Sequence, residues 1–288
     1  MKISFIVLTY NRSDALILVL KSLAKQCTNA HEIIIADDGS APDHVDDVRR
    51  RCPVFDCPVA HVWQPDIGFT AAKSRNLAAS QSHGDYLVFI DGDCIPNRHF
   101  VKQHEKLAER GCFVNGSRVL ISQKLTNEII KKDIDVTNQS LIFWIGARVR
   151  GDCNKLLQVF TWPSRWFRVQ QGFVWRGIRS CNFGVWKSDF SAVNGFDETF
   201  EGWGHEDADL VLRLANFGIK RKNGFLATEV FHLWHLQSPR TNDMSNKQRV
   251  VARMNSKLVV AERGLNQIVV TDSVKTTFLQ PTVRLPIN

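Results

Sequence analysis

No apolar run in the 288 residues approaches the ~20 needed to cross a bilayer, so a membrane-spanning helix is not expected. A secretory leader is not expected either. The N-terminus carries one lysine, its apolar stretch at residues 3–8 falls short of a ~7–15-residue leader core, and no small-residue cleavage site follows. The expectation is a cytoplasmic protein. Seven cysteines, at positions 27, 52, 57, 94, 112, 153 and 181, lack metal-finger spacing. In a cytosolic chain of this size they read as free thiols and small core fillers. No G-x-G-x-x-G follows the first apolar strand and no P-loop occurs, which removes the dinucleotide-binding fingerprint and the usual phosphate-loop nucleotidyltransferase. There is no internal repeat and no low-complexity tract.

What is present is ordinary in bulk and uneven in detail. A hydrophobic content of 44% and a charged content of 23% suit a globular chain, with room for one large α/β domain or two small ones. The net charge is +8, which fits nucleic acid, an anionic membrane or an anionic substrate. Its distribution discriminates. Residues 141–180 hold Arg148, Arg150, Lys155, Arg165, Arg168, Arg176 and Arg179 against one acid, Asp152. Trp144, Trp162, Trp166 and Trp175 lie among them. Basic residues mixed with tryptophan suit a membrane–water interface at an anionic inner leaflet; the competing reading is an ordinary domain with buried tryptophans and solvated arginines. Nucleic acid is not expected as a partner.

Periodicity orders the first half. Apolar strands are expected at residues 2–8, 31–36, 59–63 and 84–90, separated by helices at 13–23, 43–50 and 70–82. Asn11 or Ser13 is placed to cap the first helix. Near-continuous apolar strands alternating with helices predict a mostly parallel sheet covered on both faces. Ligands in such sheets lie beyond the strands' carboxyl ends, and here those ends carry Asn11, Asp37, Asp38, Asp91 and Asp93. The run V-F-I-D-G-D-C-I is the sharpest of them. Unpaired carboxylates at the tip of a buried strand are costly. Two hard oxygen ligands spaced i, i+2 suit Mg²⁺ or Mn²⁺ beside a diphosphate; the competing reading is a solvated D-G-D turn. A boundary falls near residues 118–125, followed by a helix-rich, aromatic, basic segment. A strand is expected at 180–186, loops around Gly195 and Gly202, a helix at 205–217, a strand at 226–231 and a tail helix at 244–262.

Four segments recur together in one family: F-I-V-L-T-Y-N-R from residue 5, A-D-D-G-S from 36, D-G-D-C-I-P from 91, and G-F-D-E-T-F-E-G-W-G-H-E-D-A-D-L-V-L-R-L from 195. In this order the chain resembles the family 2 glycosyltransferases of the GT-A fold. The last segment and the later V-F-H resemble the galactosyltransferase-type C-terminal half found in chondroitin-synthase-like bacterial enzymes. The resemblance covers residues 1–118 and 180–235. It implies a Rossmann-like, mostly parallel sheet with helices on both faces, plus a smaller helix-rich acceptor region. It also implies a nucleotide-sugar half at 1–118, an acceptor and catalytic half at 119–240, and a C-terminal helix and tail at 241–288.

Residue by residue, the resemblance implies that Thr9, Tyr10, Asn11, Arg12, Asp38, Gly68, Arg75, Asp91 and Gly92 line a nucleotide-sugar site. Tyr10 would pack on the uracil, Asp38 would accept its N–H, and Arg75 would lie near the diphosphate. Asp93, Asp91 and His232 would hold Mn²⁺ or Mg²⁺, with His235 a rival for His232. Glu206 or Asp207 would be the general base, and Trp203 and Gly204 would meet the acceptor. His205 stands where related sequences often carry glycine. The implied activity is inverting transfer of a hexose or N-acetylhexosamine from a UDP-sugar to a surface glycan, such as lipopolysaccharide, capsule or a lipid-linked oligosaccharide. The rival readings are a retaining transferase and a non-catalytic basic membrane-binding module.

Overall fold

The protein, seen here in a computed structural model, is described at residues 1–156, 161–162, 167–237 and 240–279. Arg165 and Trp166 of the basic segment lie outside the described residues. The first half follows its pattern. Strands β1 (Ile3–Thr9), β2 (His31–Asp37), β3 (Val59–Trp63) and β4 (Tyr86–Asp91) alternate with helices α1 (Ser13–Ala24), α2 (Pro42–Arg51) and α3 (Ala71–Ser80). The four strands are parallel, with β1 between β2 and β4. Side-chain alternation splits their apolar residues between two layers. Phe5, Val7, Ile33, Ile35, Val88 and Ile90 pack with α1; Ile6, Ile34, Leu87 and Phe89 pack with Leu77 and Ala78 of α3. Register then decides where the polar ends fall. Thr9 pairs with Asp37 and Leu8 with Asp91, so the carboxylates of two strands flank the tip of the third.

The first helix is not capped as expected. Its N-cap residue is Arg12, with no side-chain cap. Asn11 takes a left-handed turn (φ 49°) and its Oδ1 instead accepts the Ala41 N–H at 2.8 Å.

The second half adds β5 (Cys94–Pro96), α4 (Phe100–Leu107), β6 (Cys112–Asn115), β7 (Ser117–Leu120), α5 (Gln123–Lys132), α6 (Leu141–Val149), β8 (Val169–Gln170), β9 (Asn182–Trp186), α7 (Lys187–Ala192), α8 (Glu206–Asn216), β10 (Lys220–Asn223), β11 (Glu229–His232), α9 (Asp243–Met254) and β12 (Lys275–Phe278). The large sheet runs β12-β3-β2-β1-β4-β9-β6-β10-β8, with β9 antiparallel between β4 and β6. Helices α7 and α8 join α3 on one face through Phe190, Leu210 and Leu214. At one edge β12 lies antiparallel on β3.

A second sheet, β5-β11-β7, is small and decisive for the site. Antiparallel pairing sets His232 of β11 opposite Cys94 of β5, one residue from Asp93.

One strand was not anticipated, and two expectations are corrected. Strand β10 is K-R-K-N, a sequence with no apolar signal. It is tolerated because its charged heads find acceptors: Arg221 donates to the carbonyls of Val174 and Arg176, and Lys222 to that of Leu107. The strand expected at 226–231 starts at Glu229, because residues 224–228 close a turn with Leu226 at φ 57°. The tail helix ends at Met254 rather than near 262. Beyond it the chain runs through bends and is pinned to the fold, with Ala261 N–H donating to Val193 O and Glu198 N–H to Arg263 O. All seven cysteines are unpaired thiols, six of them buried.

Candidate active site

The tip of β4 turns at Gly92, whose N–H donates to Leu8 O at 2.6 Å. A Cβ there would fall 2.8 Å from that oxygen, so only glycine allows the turn. The turn delivers Asp93 to β11. Asp93 O accepts the Leu233 N–H, His232 Nε2 lies 3.6 Å from Asp93 Oδ1, and His235 Nε2 lies 3.3 Å from Oδ2. The two imidazoles meet edge to face. Among the described residues, donor atoms of Asp93, Cys94 and His232 lie within 4.8 Å of one another. Burial pushes the His232 pKa down, with Asp93 opposing, so a lone pair is free at neutral pH. Burial and a thiol contact with Cys181 push Cys94 well up, so it stays a neutral thiol. One carboxylate with two imidazole nitrogens is a donor set that suits Mn²⁺ better than Mg²⁺, which prefers oxygen throughout.

Asp91 is engaged elsewhere. Arg75, on α3 and 3% exposed, donates from Nη2 to Asp91 Oδ1 at 2.8 Å and from Nη1 to Glu206 Oε1 at 3.2 Å. Its guanidinium stands over Phe196. A planar fork with two charge-assisted bonds is a rigid link. It joins the strand tip of one half to the helix tip of the other. Burial, with the adjacent Asp207, pushes the Glu206 pKa up to about 7, against the pull of Arg75. Asp207 is less buried. Its Oδ2 accepts the Ser180 N–H at 3.3 Å and its Oδ1 the Ala208 N–H at 2.8 Å. A carboxylate on the first turn of α8 is favoured by the helix dipole. The N-cap of α8 is His205 at φ 73°, a left-handed conformation that glycine adopts freely. Here the imidazole compensates: Nε2 lies 3.1 Å from Asp243 Oδ1, and the ring meets Trp175 edge-on.

At the other strand ends, Tyr10 is 47% exposed and its hydroxyl donates to Asp66 Oδ2 at 2.9 Å. Asp38 is buried. It accepts from Thr70 N, Thr70 Oγ1 and Gln64 Nε2 at 2.8, 2.5 and 2.8 Å. Burial pushes its pKa up, and these donors oppose that. Thr9 O accepts the Asp38 N–H. Asn11 is occupied in the clasp to Ala41, and Arg12 pairs with Asp14 at 3.0 Å. Gly68 (φ 95°) donates to Asp66 Oδ1 in a turn. Trp203 lies under the Arg240 guanidinium, 4.5 Å from ring centroid to carbon. Gly204 O accepts from Asn246 of α9. Gly202 N–H donates to Phe69 O, so the loop beside Tyr10 and the loop bearing Trp203 touch.

The sequence reading missed Asp66, Gln64, Thr70 and Ser180. Asp66 carried a local signal in P-D-I-G. The others act only through contacts that folding creates.

Residues 4–170, more than half of the chain, match the model described as "Glycosyl transferase family 2". The chain belongs to glycosyl transferase family 2. Residues 169–236 match "N-terminal domain of galactosyltransferase", the stretch that contains Asp207 and His232. The hyaluronan synthase of Pasteurella multocida is 28% identical over 242 residues, covering 78% of this chain and 24% of that protein. The chondroitin synthase of Escherichia coli is 25% identical over 237 residues, covering 75% and 32%. The chain therefore spans a quarter to a third of the length of these relatives. S. aureus TarS 1–349 in complex with UDP-GlcNAc superposes with a TM-score of 0.57 at 15% identity, covering 92% of this chain and 69% of that one. The likeness shows the fold, which is GT-A as the resemblance implied.

Proposed function

We propose that this family 2 member is an inverting, metal-dependent transferase that moves a hexose or N-acetylhexosamine from a UDP-sugar to a hydroxyl of a surface glycan. One observation carries the reading. Metal-type donors (Asp93, His232, His235) and a carboxylate pair on a helix tip (Glu206, Asp207) meet at one rim, bridged by Arg75 through Asp91. Asp207 is the general base, because Glu206 is buried against Arg75. It takes the proton as the acceptor oxygen attacks the anomeric carbon and the bond to the diphosphate breaks. Asp93, His232 and His235 would hold Mn²⁺, which when bound offsets charge on the leaving diphosphate. Tyr10 offers a ring face to the base, and Asp38 an acceptor to its N–H. Trp203 and Gly204 meet the acceptor.

An anionic inner-membrane surface is part of the proposal. Helix α6 exposes Ile142 (81%), Ile145 and Val149 (83%) at i, i+3 and i+7, beside exposed Arg148 and Arg150. That is the mixture such a surface attracts. Trp144 plays a different part from the one its composition suggested. It is buried, stacked at 4.8 Å on Phe231 of β11. No described helix is long and apolar enough to cross a membrane.

The test is a panel of UDP-sugars with Mn²⁺, reading UDP release and then the product anomer. Release from one donor, lost in Asp93→Ala, is expected. Full activity in that variant would sink the assignment.

A further inference from the structure

We propose that Arg118, Lys155 and Arg179 form a subsite beside Asp207 for an anionic group, carboxylate or phosphate, on the acceptor. The inference rests on Asp207 as the base, since it places the acceptor there. The three cations come from separate segments: β7, the loop after α6 and the loop before β9. Arg179 directly precedes Ser180, whose N–H holds Asp207. Arg118 lies on the same face of the small sheet as His232, because the register pairs Arg118 with Val230 and Leu120 with His232. Lys155 Nζ donates to Ser117 Oγ at 2.8 Å, and Asn182 Nδ2 holds Ser117 O at 3.0 Å. The loop cation is thereby tied to the residue preceding Arg118.

All three are half-buried, and none forms an ion pair among the described residues. Arg118 Nη1 points at the Cys181 thiol at 4.0 Å, a weak acceptor that leaves the guanidinium fork available. Burial lowers the Lys155 pKa; Glu229 opposes this, while Arg179 and Arg118 add to it. Half-desolvated like charges held together disfavour one another, and a bound anion would relieve all three. A neutral sugar hydroxyl would not call for this arrangement.

The experiment is a thermal-shift titration of the full chain with UDP and Mn²⁺ present, using methyl glucuronide, methyl phosphate and methyl glucoside as probes. One or both anions should give a saturable stabilisation, with none from the neutral glucoside. Methyl glucuronide as the better ligand points to an acidic sugar, methyl phosphate to a phosphate-bearing acceptor. Lys155→Gln with Arg179→Gln should weaken the anion roughly tenfold or more, the scale of a lost charge-assisted hydrogen bond. Arg179→Lys should restore part of it. The UDP–Mn²⁺ shift in each variant reports folding. No anion effect, an equal effect of the glucoside, or an unchanged affinity in the double variant would overturn the subsite. Absence of the UDP–Mn²⁺ shift itself would instead overturn the donor reading, and the same titration run without UDP would still judge the cation cluster.

Discussion

Glu206→Gln gives a stability change whose size and pH dependence both follow from its surroundings. The folded chain raises this carboxyl from 4.5 to about 7, by burial and by Asp207, with Arg75 opposing. A raised acid binds its proton more tightly in the folded state. Its stabilising contribution is therefore full below pH 4.5, falls between 4.5 and 7, and is gone above 7. At ~1.4 kcal/mol per pH unit, the swing is about 3 kcal/mol. Glutamine keeps the shape and an acceptor for Arg75 Nη1, and never ionises. The variant should match the wild type near pH 4.5 and exceed it by up to about 3 kcal/mol at pH 8.5. In a chain of this size that is a rise of roughly 5–10 °C in Tm. Urea midpoints at the two pH values measure it directly. An equal wild-type-to-variant difference at both would refute the linkage, and a variant less stable at pH 8.5 would show that the Arg75 pairing outweighs burial. Because Arg75 still has an acceptor, transfer should survive better in this variant than in Asp207→Asn.

Asp207→Asn should lower transfer at least a hundredfold with the melting temperature nearly unchanged, as expected for loss of a general base; a mild loss would move the base elsewhere. Arg253→Ala strips a cation from Asp197 and Asp209, which it contacts at 2.8 and 2.6 Å in a buried cluster. Asp209 keeps Arg213, so a loss of roughly 3 kcal/mol is expected in denaturant unfolding. Ile142→Asp with Val149→Asp should abolish co-sedimentation with anionic vesicles while leaving UDP release intact; retained co-sedimentation would place the contact elsewhere. His232→Ala should raise the Mn²⁺ concentration needed for UDP release, whereas an unchanged requirement would point to His235 as the principal nitrogen ligand.

The first half was legible because its strands are apolar throughout and end abruptly in polar groups. Pattern and ligand position there carry the same information. The second half was less so for a physical reason. In β10 the charges stay in the sheet because carbonyls far along the chain accept from them, and no local pattern announces that. The choice between Glu206 and Asp207 was equally hidden. It depends on Arg75, 131 residues away, which neutralises one carboxylate and not the other. Asp38 was recognised by its motif, but its three internal donors were not, since Gln64 and Thr70 reach it only through the loop after β3. His205 was noticed as a departure from the glycine that the resemblance implied, and its left-handed backbone is a conformation glycine adopts freely.

Strand β12 shields one margin of the large sheet. By lying along β3 it occupies the hydrogen-bonding groups of that margin, with Lys275 set over Trp63. Removal of residues 275–288 would uncover a row of amides in a β-rich segment. Two such molecules are then free to pair margin to margin, so the shortened protein should precipitate or dimerise while the rim carrying Asp93 and Asp207 stays whole.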